Sequence, residues 1–457
     1  MFDTKSHNLN DKWIFMQRWL KLFIAAIVVV GLSACEDDND EPVPQPEPPA
    51  STSTFKLHIG ESNIMKMNLK APDCYPDMYS VVLVMEDLPT DENIIYIGGM
   101  YSTENTEPDL NDCIMAFDYS DYDLIQDWDW EKEDLYWQCL RIYHPLPATT
   151  YYVRGYVLTD KGEYFSNTIE VHTDYTDPLP ANPDAYEIPV IFHLFPDVDG
   201  NYPARAWMIR EQIQYANNVY GNYYNIAGQT ETGIRFVPAT HTPDGTLLET
   251  PGIVYEKEAV EVDLRDGLID DKYIWDMEHA LNVWICPIKN GEEVAGGYGT
   301  VGGFSFFPFF DADERLEGCN VLGRDGMFNG IFLNATGMRA ANEPMTFAHE
   351  AGHFLGLDHV FANDFCDDTP WYDFEAHWNT AYGDIVLTRT GKNGETFWSD
   401  NIMDYDYSFL TGLTPDQHKR ISYTLKYAYF IPGPAGKELP KARSHGRGFR
   451  IPGKPVI

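Results

Sequence analysis

The stretch AHEAGHFLGLDH, residues 348–359, places three histidines, one glutamate and two glycines in twelve positions. On a helix, His349 and His353 stand four residues apart, so both imidazoles leave the same face and point at one spot. Gly356 follows three residues later, where the chain must turn sharply, with positive φ, for His359 to come back as a third ligand. Three neutral imidazoles leave the fourth position of a zinc ion open for water, the requirement of a catalytic rather than a structural site. Glu350 can face that water instead of the metal, act as general base and then pass the proton to a leaving amine. A lone histidine pair at this spacing is more often a surface coincidence than a site. Five fixed positions, HExxHxxGxxH, make coincidence the poorer reading.

These side chains need a helix, and the neighbouring residues supply one. Asn342 or Glu343 can start it, Pro344 suits its first turn, and MTFAHEAGHFLGL continues it. Upstream, YEIPVIFHLF reads as a strand, with His193 a packed core histidine rather than a ligand. ARAWMIREQIQYANNVYGNYY has helical spacing at Met208, Ile209, Ile213, Ala216 and Tyr220. TGIRFVPAT, HALNVWICPI and GMFNGIFLN are further strands before the motif. Downstream, Thr414, Pro415 and Gln417 form a capping box, and Ile421, Leu425 and Ala428 give the last helix an apolar stripe expected to pack behind the histidine helix. The order predicts an α/β half followed by an irregular half. No internal repeat is visible.

From 54 to 175 the signals are those of an all-β region. TTYYVRGYVLTDKGEYFSNTIEVHT holds two β-branched and aromatic runs around a hairpin turn at Gly162, and SVVLVMEDL and NIIYIGGMY are further strands. LPATTYYVRGYV is similar to a strand of a fibronectin type III or related immunoglobulin-like sandwich, with Tyr151 at the tyrosine-corner position. The acidic, tryptophan-rich insert DYSDYDLIQDWDWEKEDLYWQ departs from that module. Nothing here suggests catalysis, which leaves a spacer or binding module, with a propeptide that blocks the active site as the competing reading.

The chain has 457 residues, 44% hydrophobic and 23% charged, enough apolar material for two cores. A formal net charge of −39 speaks against nucleic acid as a partner, or an anionic membrane surface for the bulk of the protein. Residues 1–34 read as a signal peptide. Arg18 and Lys21 form its basic region and Leu22 to Leu32 its apolar core, too short to span a bilayer comfortably. Met16 is an alternative start. LSAC, ending at Cys35, resembles a bacterial lipobox, which implies lipidation of Cys35; an ordinary secretory signal with an incidental cysteine is the alternative. Residues 35–53 form an acidic, proline-rich tether that can bury nothing. Its acidic residues directly after Cys35 resemble the export signal of surface-exposed lipoproteins in Bacteroidetes-like bacteria, implying lipid anchoring at the bacterial outer membrane or cell surface; a solvated charge run is the alternative. Residues 431–457 are a tail with six Lys/Arg against one Glu and many Gly and Pro, expected to be largely irregular.

With SDNIMDYDYS downstream, the histidine pattern resembles the metzincin metallopeptidases, whose long motif is followed by a methionine turn. The resemblance implies that Met403 sits beneath the three imidazoles and that Tyr405 can swing to the metal and steady an oxyanion. EIPVIFHLF, DDTP (Asp367 to Pro370), NIMDY and LTPDQHKRI resemble the pappalysin group over about 185–430. More loosely, the signal and preceding domain are similar to secreted Bacteroides-type zinc peptidase lipoproteins. The implied fold is an α+β metzincin-like catalytic domain, with a mixed sheet, an active-site helix and an irregular C-terminal subdomain, preceded by the all-β domain. The implied activity is that of an extracytoplasmic endopeptidase acting on proteins or peptides, with one catalytic Zn2+ on His349, His353 and His359. An adhesin or binding lipoprotein that keeps the metal site but cleaves little is the alternative, against which the complete ligand set and Glu350 argue. Asp367 and Asp368 are candidate ligands of a structural Ca2+, with a solvated acidic loop as the other reading.

Departures from the group concern cysteines. The run from Met403 to Thr414 has none, and no preference for a basic residue after the scissile bond is carried over. Cys74, Cys113 and Cys139 lie in the first region and Cys286, Cys319 and Cys366 in the second; three per region cannot all pair internally, so no disulfide is assigned. Cys74 is the candidate for a cysteine held on the zinc as a latency switch. The lipobox has a direct test: cells fed a fatty-acid analogue label the protein, and Cys35→Ala abolishes the labelling. Incorporation that survives the substitution refutes the anchor.

Overall fold

Strand Thr150–Thr159 shows how the N-terminal residues build their sheet: Tyr151, Val153 and Val157 face the core while Tyr152, Arg154 and Leu158 are less buried, the period-two alternation of a half-buried strand. The computed structural model describes residues 56–67, 78–86, 92–117, 136–142, 144–173, 179, 182–264, 269–289, 301–323, 328–338, 344–374, 388–405, 408–433 and 455–456. The chain divides into Met1–Ala50 and Ser51–Ile457, and all described residues belong to the second unit. The signal peptide, Cys35, the tether, Cys74 and most of the basic tail lie outside them.

Eight strands make two antiparallel sheets. They are β1 (Lys56–Met67), β2 (Met78–Glu86), β3 (Ile94–Ser102), β4 (Cys113–Ile114), β5 (Ala116–Phe117), β6 (Tyr136–Ile142), β7 (Thr150–Thr159) and β8 (Glu163–His172), ordered β1-β2-β6-β5 and β4-β3-β7-β8. Ile59, Val81, Leu83, Tyr101 and Val153 fill one core between them. The Tyr151 hydroxyl accepts a hydrogen bond from the amide of Leu146 at 2.7 Å, which ties the start of β7 to the loop before it.

The larger sheet follows. Its described strands are β9 (Tyr186–Leu194), β10 (Ile234–Pro238), β11 (Ile253–Tyr255), β13 (Leu281–Cys286), β15 (Gly303–Phe306), β18 (Ile331–Asn334) and β21 (Pro455–Val456). The order is β10-β9-β13-β18-β15-β21, with β11 also on β9. β10, β11 and β13 run parallel to β9, and β18 parallel to β13, whereas β15 is antiparallel to β18. Three small ribbons, β12 (Val262–Asp263) with β14 (Ile288–Lys289), β16 (Phe309–Phe310) with β17 (Asn320–Val321), and β19 (Thr388–Thr390) with β20 (Thr396–Trp398), complete the described strands. The fold is therefore mixed α+β, and from Leu355 to Leu413 the described chain is mainly loops and short ribbons. The expected strands form, GMFNGIFLN shortened to Ile331–Asn334. β15 was not among them, because Gly302 and Gly303 interrupt the apolar alternation that marks a strand.

Helix Ala206–Tyr220 lies between the two halves. Met208, Ile209, Ala216 and Tyr220 are buried as their spacing requires. So is Glu211, which accepts the Tyr151 hydroxyl at 2.8 Å. At the same helix's start, Arg205 meets Asp112 at 3.0 Å and Asp109 at 2.8 Å, and the Trp207 indole donates to Asp112 at 3.1 Å. Asp112 is fully buried, so its charge depends on these donors. Asp112→Ala leaves the Trp207 indole without its acceptor and is expected to cost about 1–3 kcal/mol and to lower the melting temperature of one cooperative unit containing both halves. An unchanged melt, or two transitions of which only one moves, would show that this contact does not bind them together.

Candidate metal centre

Helix Met345–Phe354 is buried at every position but Thr346. Pro344 is its N-cap rather than part of its first turn, and the residues before it lie outside those described. An amide this early in a helix has no intrahelical partner; that of Phe347 donates to Gln212 Oε1 at 3.1 Å. Tyr220 donates to the carbonyl of Ala348 at 3.1 Å. Helix Ala206–Tyr220 thus grips the histidine helix one residue before His349.

At the other end Gly356 has φ +93°, as the sequence requires. Leu357 N bonds to Gly352 O at 2.9 Å and Gly356 N to His353 O at 2.9 Å, the paired bonds of a Schellman turn. Arg420 of helix Pro415–Tyr427 donates to Gly356 O at 3.0 Å, and a Cβ on Gly356 would lie 2.8 Å from Thr424 Oγ1. The last helix packs against this turn, a narrower contact than the expected one behind the whole histidine helix. Its capping box is present, with Thr414 N donating to Gln417 Oε1 at 2.9 Å. Ile421 is fully buried and Leu425 only partly.

The turn brings His359 back. Its Nε2 stands 3.2 Å from His349 Nε2 and 3.1 Å from His353 Nε2. His349 Nδ1 faces Ile402 O at 2.7 Å and His353 Nδ1 faces Leu357 O at 2.8 Å. A carbonyl only accepts, so both Nδ1 atoms carry the proton and both Nε2 atoms turn lone pairs inward. At most one proton, on His359, can lie among three such nitrogens, so the cluster presents lone pairs of the kind a cation takes. Tetrahedral zinc with bonds of about 2.0–2.1 Å needs ligand nitrogens about 3.3 Å apart, close to the observed spacing. The residues therefore fit zinc. Among described residues this is the group of His, Cys, Asp and Glu whose ligand atoms converge.

Burial shapes the electrostatics. It lowers His349 to about 4 and holds His353 and His359 well below the ordinary histidine value, the neighbouring imidazoles adding to the effect for those two. All three are thus neutral and ready to ligate. Burial also raises the Glu350 carboxyl well above the usual range, and its Oε2 is buried with no hydrogen-bond partner.

Beneath the helix lies the 401–405 turn. Met403 is fully buried, and a Cβ at Gly352 would overlap its sulfur, so the glycine between His349 and His353 admits the methionine. The Tyr405 ring packs 4.7 Å from the His359 ring and 5.8 Å from that of His349. Its amide donates to Asp404 Oδ1 at 2.7 Å. Asp404 also accepts from Tyr372 and Ser399 and pairs with Arg389 at 3.3 Å, both charges fully buried. Burial raises the Asp404 carboxyl and Arg389 opposes that shift.

Two other expectations concern residues outside the cluster. Asp368 Oδ2 accepts the amide of Asp416 at 2.9 Å and Asp416 Oδ2 that of Asp367 at 3.2 Å; the acidic pair ties its loop to the first turn of the last helix, where negative charge is favourable. His193 is a core residue, fully buried between Glu256 at 2.8 Å and Asn282 at 3.2 Å. Gln212, Arg389 and Asp404 are not marked by any sequence pattern, and the helical spacing marks Tyr220 only as a core position. Only their partners across the fold give them a role.

Residues 263–426 match the sequence profile of a peptidase family described as Pregnancy-associated plasma protein-A. This stretch is a pappalysin-type metallopeptidase domain. It contains the three histidines, Glu350 and the Met403 turn. Among solved structures, mirolysin in complex with a compound is similar at 18% identity over 52% of this chain and 91% of that one, TM-score 0.35. A Tannerella forsythia promirolysin mutant is similar at 16% identity over 54% and 82%, TM-score 0.35. Mature Tannerella forsythia mirolysin in complex with a cleaved peptide is similar at 17% over 53% and 91%, TM-score 0.34. The comparison with curated proteins finds no match.

The peptidase domain rests its methionine turn on the Arg389–Asp404 pair, which gives a stability prediction. Arg389→Leu leaves a buried carboxylate without its cation and is expected to cost about 3–5 kcal/mol. A denaturant midpoint equal to that of the parent protein would refute a supporting role for the pair.

Proposed function

We propose that the protein is a lipid-anchored zinc endopeptidase acting on proteins or peptides outside the cytoplasm. The observation that carries the reading is the meeting, in one buried spot, of three inward-facing Nε2 atoms with the unpartnered Oε2 of Glu350. The signal anatomy ending at Cys35 supports the location.

His349, His353 and His359 would hold the zinc, which supplies a Lewis acid and an acidified water when bound. Glu350 takes the proton of the attacking water. Its place beside the three imidazoles, with Oε2 unpartnered, suits it to pass that proton on to the leaving amine. Tyr405, whose ring rests on His359, offers its hydroxyl to the tetrahedral oxyanion. Asp404 holds the amide of Tyr405 and so fixes the segment from which the ring extends. The N-terminal sheets read as a fibronectin III or immunoglobulin-like spacer rather than a removable propeptide, supported by the Tyr151 corner and by its bond to Glu211.

Zinc-loaded protein is expected to cleave members of a peptide library, to lose activity to a chelator and to regain it with zinc. Glu350→Gln should keep zinc and lose about a thousandfold in kcat, and Tyr405→Phe about a hundredfold. Absence of cleavage by a zinc-loaded protein, with Glu350→Gln indistinguishable from it, would sink the peptidase reading in favour of a binding lipoprotein.

A further inference from the structure

Strand β15 lies beside the metal centre. A Cβ built on Gly303 would stand 3.1 Å from Glu350 Cγ and 2.8 Å from the carbonyl of Phe332, so only glycine lets the strand pass this close to the carboxylate. β18 occupies one side of β15. The other side is a sheet edge, and an edge presents a row of N–H and C=O groups that can take up an extended peptide as an added strand. In this structure part of that edge is taken by the chain's own tail: β21 runs antiparallel to β15, with Val456 opposite Ser305 and Pro455 opposite Phe306.

We propose that the tail is a tethered strand that occupies the peptide-binding edge of β15 and competes with substrate; the competition rests on the peptidase reading above. Three features fit a competitor rather than a permanent strand. β21 is two residues long, far below the usual strand length. One of the two is Pro455, which has no N–H to give to a ladder. The tail from 431 onward carries six Lys/Arg against one Glu in a chain of net charge −39, so attraction to an acidic body favours return after release. Twenty-one residues separate Gly433 from Pro455, a contour length of about 70 Å. Tethering of this kind gives an effective concentration of about millimolar, enough for a weak strand to hold an edge against dilute substrate.

The test compares the full chain, the chain ended after Gly433, and the full chain with Pro455→Gly and Val456→Gly together, a change that removes strand preference but keeps length and charge. Hydrogen exchange of the 303–306 amides reads strand addition without any turnover. The expected result is faster exchange in both altered proteins, and slowed exchange when the peptide GFRIPGKPVI is added at millimolar concentration to the shortened chain. With peptide substrates, KM is expected to fall about threefold or more in both altered proteins, with kcat unchanged. Equal exchange in all three proteins overturns the proposal whether or not any of them hydrolyses peptides. Altered exchange with an unchanged KM overturns the competition. Altered exchange without hydrolysis by any of the three counts against the peptidase reading and the competition that rests on it, and leaves the strand addition standing.

Discussion

Two backbone carbonyls decide what the histidines can do. Ile402 O and Leu357 O take the Nδ1 protons of His349 and His353, and a neutral imidazole with one nitrogen so engaged has its lone pair at the other. That turns two Nε2 atoms toward His359 in a space burial has made hostile to protons. Neither carbonyl belongs to the helix. One comes from the methionine turn and one from the chain just past Gly356, so the geometry of the site depends on two loops being where they are.

The rest of the fold can be traced outward from that requirement. The Schellman turn at Gly356 delivers both Leu357 O and His359, and Arg420 of the last helix holds it by the Gly356 carbonyl. Ile402 O comes with Met403, whose sulfur fits only because Gly352 has no side chain. The Asp404 cluster locks the same turn from below with a buried ion pair. Such a pair does little for net stability by itself, but breaking it is costly, and that asymmetry suits a turn whose displacement would cost His349 its tautomer.

Helix Ala206–Tyr220 connects the centre to the N-terminal sheets. One set of its side chains, Gln212 and Tyr220, holds the histidine helix; another, Glu211 and Trp207, bonds to Tyr151 and Asp112. Apolar burial is continuous across this helix, from Val81 and Val153 through Trp207 to Leu333. A hydrophobic contact without direction could let the halves slide; the buried carboxylates restrict the pairing to positions where their donors are met.

Much of this was legible in the chain. Spacing alone determined the pair of histidines on one helix face, the need for a left-handed turn at Gly356, the capping box at Thr414 and the alternating strands around Gly162, because each depends on a local period or on one residue's conformational freedom. The tertiary structure alone decided which carbonyls orient the imidazoles, which carboxylate pairs with Arg389, that β15 exists and passes Glu350, and that Pro455–Val456 pairs with it. Apart from the Leu357 carbonyl, four residues from His353, those outcomes join residues well separated along the chain. No local pattern encodes such pairings; they are set by which groups share a low-dielectric interior and must satisfy one another there.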